Sequence, residues 1–197
     1  RLRRWQLNDE LIRAQARAIA EDADIGPVRT DRLARIQRRG DLAPGAFGDL
    51  QAQDLEAPMD DLFARYQAAL QHWPQPLAGE EPLQFQVLVA DHYLQVADWL
   101  GGIRVDAAGG RGRVVLEASD LVKDKHYRGE KLIGHWVTHL GAHLAGGPLT
   151  TRILSKVGDV ELAPLDPDQA RNLLGDLLFT ERHPERVAAW LGEKAGR

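Results

Sequence analysis

The spacing of hydrophobic residues predicts that the first part of the chain is helical. Residues 7–21 place their apolar side chains on one helical face, and Gly26-Pro27 then interrupts the pattern. A second helix is predicted from about Thr30 to Gly40. A third apolar pattern covers about residues 47–72, and because Pro58 falls inside it we expect a kink or two helices.

The hydrophobic period changes after a stretch rich in Pro, Gly and acidic residues, at 73–82. Residues 83–89 alternate between apolar and polar, as a β-strand does. Residues 92–106 and 112–119 are predicted to form two more strands, which an Ala- and Gly-rich turn joins as a hairpin. Gly101-Gly102 predicts a bulge or bend in the first of these two strands.

Helical spacing returns at residues 130–145, and residues 150–165 follow as a strand, a Gly-Asp turn and a short strand. Asp166-Pro167 opens a helix to about Phe179, with proline at its first position. A last short helix is expected from His183. Strands followed by crossing helices predict an α/β fold with a helical lobe in front.

The length of 197 residues suits one compact unit. We place its internal boundary at the Pro- and Gly-rich stretch, so that residues 1–80 form the helical lobe and residues 81–197 the α/β core. The chain begins at Arg1 and not at a methionine, so we expect a processed chain or a piece of a longer protein.

Composition and charge exclude several classes of site. The chain has no cysteine, which excludes disulfides, thiolate metal sites and cysteine nucleophiles. The net charge is −4, so contact with a polyanion needs a local basic patch. No apolar run approaches the roughly 20 residues of a membrane span, and no signal-peptide core is present. We therefore expect a cytoplasmic protein without a membrane partner.

Two acidic residues in the predicted hairpin resemble part of a metal-dependent nuclease centre. Asp106 and Glu117 would hold a divalent ion, but Ser119 stands two residues after Glu117, where such a centre needs a lysine. An even hairpin loop puts the two acids on one face, and an odd loop separates them. Lys123 or Lys125 would supply the cation in an active Mg²⁺ or Mn²⁺ nuclease. Alternatively, both acids are solvent-facing hairpin residues.

A row of arginines follows the second predicted helix. They recur every third residue with one neighbour beside them, namely Arg29, Arg32, Arg35, Arg38 and Arg39. A helical face of this kind would contact the phosphates of a nucleic acid. A solvated face, or an interface to an acidic partner, is the alternative.

Three histidines share one face of the helix predicted at 130–145. His135, His139 and His143 are spaced i, i+4, i+8, which allows metal binding only if a further ligand joins them. No His-Glu-x-x-His motif is present, so the spacing favours a polar edge of a packed helix. No cofactor or metal is expected from these motifs.

Five segments of the chain resemble, in order, the carboxy-terminal domain of RecC, the gamma subunit of exodeoxyribonuclease V (RecBCD). They are RRWQLNDELI (3–12), RRGDLAPGAFGDLQAQ (38–53), QVADWLGGI (95–103), KLIGHWVTHLGAHLAGG (131–147) and LAPLDPDQARNLL (162–174). The resemblance covers roughly residues 3–178. The end, HPERVAAWLGEKAGR, does not match, so we expect a truncated or divergent terminus there.

The resemblance implies a restriction-endonuclease-like, PD-(D/E)xK fold, with a small mixed sheet flanked by helices. It implies that catalysis is lost, with Asp106 at the position of the first acid and Glu117-Ala118-Ser119 at that of D/E-x-K. RecB-like and RecD-like helicase subunits would be the partners, and double- and single-stranded DNA the ligand. The implied role is to guide DNA and dock subunits during recombinational repair of double-strand breaks.

Two other functions stay open beside this one. The first is the nuclease with a migrated lysine. The second is a purely protein-binding scaffold, whose Trp-rich surface docks a helicase subunit without contacting DNA. The tryptophans of that surface are Trp73, Trp99 and Trp190.

Overall fold

A computed structural model describes residues 3–89 and 92–179 of the chain. Four helices come first: α1 (Arg4–Ala20), α2 (Ile25–Arg38), α3 (Ala46–Glu56) and α4 (Met59–His72). The strands are β1 (Gln75–Pro76), β2 (Glu81–Val89), β3 (His92–Leu100), β4 (Ile103–Val105), β5 (Arg111–Glu117), β6 (Val122–Lys123), β7 (His126–Tyr127), β8 (Thr150–Ser155) and β9 (Asp159–Leu162). Helix α5 (Gly129–Gly146) precedes β8, and α6 (Pro167–Phe179) follows β9.

The main sheet has five strands in the order β1-β4-β5-β8-β9. The central pair, β5 and β8, is parallel, and the other neighbours are antiparallel. A parallel pair needs a long crossover, which α5 provides. Strands β2 and β3 form a separate hairpin, and β6 and β7 form a small one. The predicted α/β class is confirmed.

The sheet is packed between α4 on one face and α5 on the other. Alternate residues of a strand point to opposite faces. On one face of β5, Leu116 packs in a core cluster that contains Phe63 of α4 and Leu154 of β8. On the other face, Val115 packs with Leu132 of α5. Side chains near the end of β5 therefore pack against α4 on one face of the sheet and against α5 on the other.

The start of α2 was predicted five residues too late. The helix begins at Ile25, because the Asp24 carboxylate caps it by accepting the Gly26 N–H at 2.9 Å. Pro27 lies in the first turn, where backbone N–H groups have no partner within the helix. A proline there starts the helix and does not break it.

Two expectations about breaks are confirmed. Pro58 separates α3 from α4, and Gly102, at φ +76°, ends the strand that begins at His92. The chain then enters the main sheet as β4, so the predicted single strand 92–106 is two strands in different sheets. The very short strands β1, β6 and β7 were not predicted.

The division at about residue 80 stays a prediction. Trp190 lies outside the described residues, and so does the last short helix, which was predicted to begin at His183. Among the helices that the structure describes, none is long and apolar enough to cross a membrane.

Candidate functional site

An open groove of about 1270 Å³ lies between the start of α1, the end of β5 and the first turns of α5. We call it the α1–α5 groove. Its charged lining consists of five basic and five acidic residues, so their formal charges cancel. They are Arg4, Arg13, Arg128, Lys131 and Lys156, and Asp9, Asp54, Glu117, Asp120 and Glu130.

Glu117, the last residue of β5, lies in this groove. His135 Nε2 donates a hydrogen bond to Glu117 Oε2 at 3.2 Å, and the Ser119 backbone N–H donates to Oε1 at 2.8 Å. The hydrogen bond from His135 is the main cause that holds the pKa of Glu117 below its usual range, and the Ser119 N–H adds to it. Glu117 is therefore an ionised carboxylate with a donor on each oxygen.

Asp106 does not lie in the groove. Val105 pairs with Arg111, so five residues, 106–110, separate the strands. This odd loop puts Asp106 and Glu117 on opposite faces and at opposite ends of β5, about 20 Å apart along the strand. The Asp106 carboxylate instead closes the turn by accepting the Ala108 and Gly110 N–H groups at 2.8 and 2.7 Å. The predicted acidic pair is wrong.

Ser119 lines the groove, as its position after Glu117 predicted, but the proposed replacement lysines do not. Lys123 and Lys125 are exposed on the β6–β7 hairpin. Two lysines line the groove instead, Lys131 in the first turn of α5 and Lys156 directly after β8. The Nζ of Lys156 lies 3.3 Å from Asp120 Oδ1. The parallel pairing of Glu117 with Ser155 brings Lys156 there. Lys156 could not be predicted from the sequence, because only this strand pairing places it near Glu117.

The other two histidines of α5 are structural. His139 Nε2 donates to the Ala163 carbonyl, and Nδ1 accepts from the Thr151 hydroxyl. Burial lowers the pKa of His139 to about 4. His143 Nδ1 donates to the His139 carbonyl, and Nε2 accepts the Leu165 N–H at 2.9 Å. The expectation of a polar packed edge is confirmed for these two.

No group of three or more His, Asp and Glu side chains in the described part of the chain has the arrangement of a metal site. Each ring nitrogen of His139 and His143 already has a hydrogen-bond partner within the fold. The side chains of the groove therefore do not form a complete protein cage for a divalent ion.

The structure removes Arg29 from the predicted phosphate-binding face. Its side chain is only 8% exposed. The guanidinium donates to Gln15 Oε1 at 2.8 Å and to Asp60 Oδ1 at 2.6 Å, and Glu56 lies 3.8 Å away. Arg29 ties α2 to α1 and α4 and does not face solvent. Its i, i+4, i+7 spacing with Leu33 and Ile36 was the signal in the sequence for an inward position.

The other arginines of the row differ in their partners. Arg32 and Arg39 both bind Glu10 of α1, and Arg39 also binds Asp41. The exposed Arg35 pairs with Asp31 at 2.9 Å. Arg38 is exposed and has no ion pair with any described residue. Carboxylates therefore neutralise most of the row, and only its carboxyl end offers a free cation among the described residues.

Of the three tryptophans of the predicted surface, the structure describes Trp73 and Trp99, and these two differ in exposure. Trp73 is buried and packs on Gly112, where an added Cβ would lie 2.2 Å from the indole. Trp99, on the β2–β3 hairpin, is 64% exposed. The predicted Trp-rich surface therefore reduces to Trp99 among the described residues.

The fold and the groove define a mixed α/β domain with an ionised acid at the end of a central strand and no lysine two residues later. The chain belongs to the family of RecC C-terminal domains, because the model of that family matches residues 1–183. RecC is a subunit of RecBCD, exodeoxyribonuclease V, so the family gives the chain a RecC role in that complex, in DNA repair and recombination. The predicted resemblance is confirmed.

Other comparisons add little to this assignment. No curated protein matches the chain. One similar solved structure is described as "Crystal structure of SSO0001". It is 16% identical, covers 75% of this chain and 69% of that chain, and has a TM-score of 0.34. A likeness of this size does not define the fold.

Proposed function

We propose that this chain is a non-catalytic domain of the RecC subunit that guides DNA and docks the RecB-like and RecD-like helicase subunits. The observation that carries the proposal is the state of the nuclease motif. Glu117 keeps the acid, Ser119 takes the place of the lysine, and Asp106 is about 20 Å away along the strand. Without a lysine at position 119, the motif itself supplies no cation to offset the charge that develops during phosphodiester cleavage.

The order of elements supports a PD-(D/E)xK-like origin for this domain. An antiparallel hairpin, β4–β5, carries the motif, and α5 crosses over to the parallel strand β8. Helices cover both faces of the sheet. In this proposal the nuclease framework is retained as a scaffold, while its chemistry is not.

A cleavage assay tests the loss of catalysis. The chain is incubated with linear double- and single-stranded DNA in Mg²⁺ and in Mn²⁺, beside a Glu117→Gln variant. We expect the two proteins to be indistinguishable from a buffer control. Metal-dependent cleavage that Glu117→Gln abolishes would refute the proposal.

The role in guiding DNA rests on the end of α2, where Arg35 and Arg38 are exposed. Removing one ion pair with a phosphate should lower the slope of log K against log salt by about 0.9 for duplex DNA. Charge reversal of Arg38 should therefore weaken DNA binding and reduce this slope in the assembled complex. Arg171→Glu is the control, since it reverses the charge of an exposed helical arginine on α6 instead of α2.

One observation favours the nuclease alternative. Lys156, a lysine from the neighbouring strand, lies in the same groove as Glu117 and Asp120. It would take the role that the sequence analysis gave to Lys123 or Lys125. If the chain cuts DNA, Lys156→Met should abolish cleavage and Lys123→Met should not. Equal activity of both variants would exclude Lys156 from this role.

The exposed Trp99 favours the alternative of a purely protein-binding scaffold. Crosslinking of DNA within the assembled complex separates this alternative from the first proposal. Crosslinks between DNA and α2 support the guiding role. A complex that forms fully, but whose domain never crosslinks to DNA, supports the scaffold.

A further inference from the structure

Asn8 breaks a general rule of protein interiors. It lies within α1, is 2% exposed and lines the α1–α5 groove. Its Oδ1 is buried and accepts no hydrogen bond from the described part of the chain. Buried polar groups are nearly always paired, and asparagine is a poor helix former. Residues that depart from these two preferences, as Asn8 does, concentrate at functional sites.

A second buried oxygen of the same groove has no hydrogen bond in the described part of the chain, although it forms an ion pair. Asp120 Oδ1 is buried and has no hydrogen bond within the described residues. Lys156 Nζ approaches it to 3.3 Å, but without the alignment that a hydrogen bond requires. Both unmet atoms are acceptors, so a complementary ligand must bring donors.

The phosphodiester backbone of DNA does not fit this requirement. It presents acceptor oxygens and negative charge, whereas the unmet groups here are a carboxylate oxygen and an amide oxygen. The ten charged residues of the groove cancel formally, so no basic field attracts a polyanion. A polypeptide fits better, because its backbone N–H groups and its Arg or Lys side chains are donors.

The dimensions of the groove also favour a polypeptide. Pockets for small molecules measure about 300–1000 Å³, and this groove is open and larger, at about 1270 Å³. Trp5 stands at the rim with half of its surface exposed, where its ring would stack on an incoming guanidinium.

The geometry points to the α1–α5 groove as the docking site for an extended segment of a partner subunit that carries an arginine or lysine. The Asn8 amide offers an acceptor and a donor to the main chain of that segment. The basic side chain binds at Asp120, whose side chain is 43% exposed. This inference rests on the proposed docking function and names the surface and the chemistry of the partner.

A crosslinking experiment tests the occupant. The RecC subunit that contains this chain is prepared with benzoylphenylalanine in place of Trp5 and assembled with purified RecB and RecD subunits on DNA. After irradiation, we expect one crosslinked peptide from a partner subunit, with arginine or lysine beside the crosslink. A crosslink to DNA, or an assembled complex without any crosslink at this position, would overturn the inference.

Substitution of Asn8 gives an independent test. Asn8→Leu removes the unsatisfied amide, so the unassembled subunit should unfold at a higher temperature. The dissociation constant for the partner subunits should rise about tenfold. Gln15→Leu is the matched control, because Gln15 is a buried amide of the same helix that bonds to Leu11 and Arg29. It should lower the unfolding temperature.

A further variant keeps the inference testable if Asn8→Leu fails to fold. Asp120→Arg places a like charge against the incoming basic side chain and should also weaken assembly tenfold or more. If the unmodified subunit does not assemble, the proposed function itself fails. If it assembles, and both groove variants bind their partners with unchanged affinity, only the inference about the groove fails.

Discussion

Replacing Arg29 by alanine distinguishes a structural arginine from a DNA contact. The structure predicts that Arg29→Ala destabilises the fold and leaves DNA binding by the folded protein unchanged. A phosphate contact predicts the reverse, with unchanged stability and weaker binding. The two interpretations therefore predict opposite outcomes for the free energy of unfolding and for the affinity for DNA.

The size of the effect follows from the partners of Arg29. Loss of its Nε leaves Gln15 Oε1 buried without a donor, which costs about 1–3 kcal/mol. Loss of its buried methylenes adds about 1–2 kcal/mol. The ion pair with Asp60 adds little, because that carboxylate is 85% exposed and regains water. The expected destabilisation is about 2–5 kcal/mol, or roughly 4–20 °C in melting temperature.

Urea unfolding of the isolated chain measures this difference, with DNA binding measured in parallel at two salt concentrations. Arg38→Ala is the control, since it removes an exposed arginine of the same helix and should change stability by less than about 0.5 kcal/mol. A destabilisation by Arg29→Ala below about 1 kcal/mol would refute the role of Arg29 in joining the three helices.

Three further predictions concern buried groups and the motif. Because burial lowers the pKa of His139 from its ordinary 6.5 to about 4, the unfolded chain binds more protons between these pH values. The unfolding free energy should therefore fall by about 2 kcal/mol from pH 7.5 to pH 5, and His139→Leu should flatten this dependence in urea titrations. Gly112→Ala should lower stability by about 1–3 kcal/mol, because its Cβ would lie 2.2 Å from Trp73, whereas Gly134→Ala, in open space on α5, should raise it by about 0.5–1 kcal/mol in the same thermal unfolding assay. Ser119→Lys should not produce Mg²⁺- or Mn²⁺-dependent cleavage of DNA, because the second predicted acid lies at the other end of the strand.

Each of these outcomes has a clear contrary result. A His139→Leu variant with an unchanged pH dependence would show that other groups cause the loss of stability in acid. A stable Gly112→Ala variant would mean that the indole is not tightly packed against β5. Cleavage by Ser119→Lys would show that the missing lysine was the only defect of the motif.

The sequence predicted the parts of the fold that local pattern controls. The apolar spacing of α1 and α5 matched the helices closely, and Pro58 marked the gap between α3 and α4. The strand that carries Glu117 was predicted at 112–119, and β5 spans Arg111–Glu117. These features depend on neighbours close in sequence, so the residues themselves carry the information.

The groove could be predicted only in part. The strand position of Glu117 indicated an acidic site. The rule that an even hairpin loop puts both acids on one face, and an odd loop separates them, stated when Asp106 would join it. The rule could not decide the outcome, because the number of residues in the loop is fixed by which residues pair. Lys156 and Asn8 had no local signal at all, since they reach the groove from the end of β8 and from α1.

The sequence by itself determined the helical and strand periods, the presence of a serine at position 119 and the membership of the RecC family. The tertiary structure decided which charges are free, because an arginine faces either solvent or a carboxylate of another helix according to packing that no local pattern describes. It turned Arg29 inward to Gln15 and Asp60 and left Arg38 exposed. It also left the Asn8 Oδ1 buried without a hydrogen-bond partner among the described residues, since hydrogen-bond satisfaction depends on groups that are far apart in the chain and close together in space.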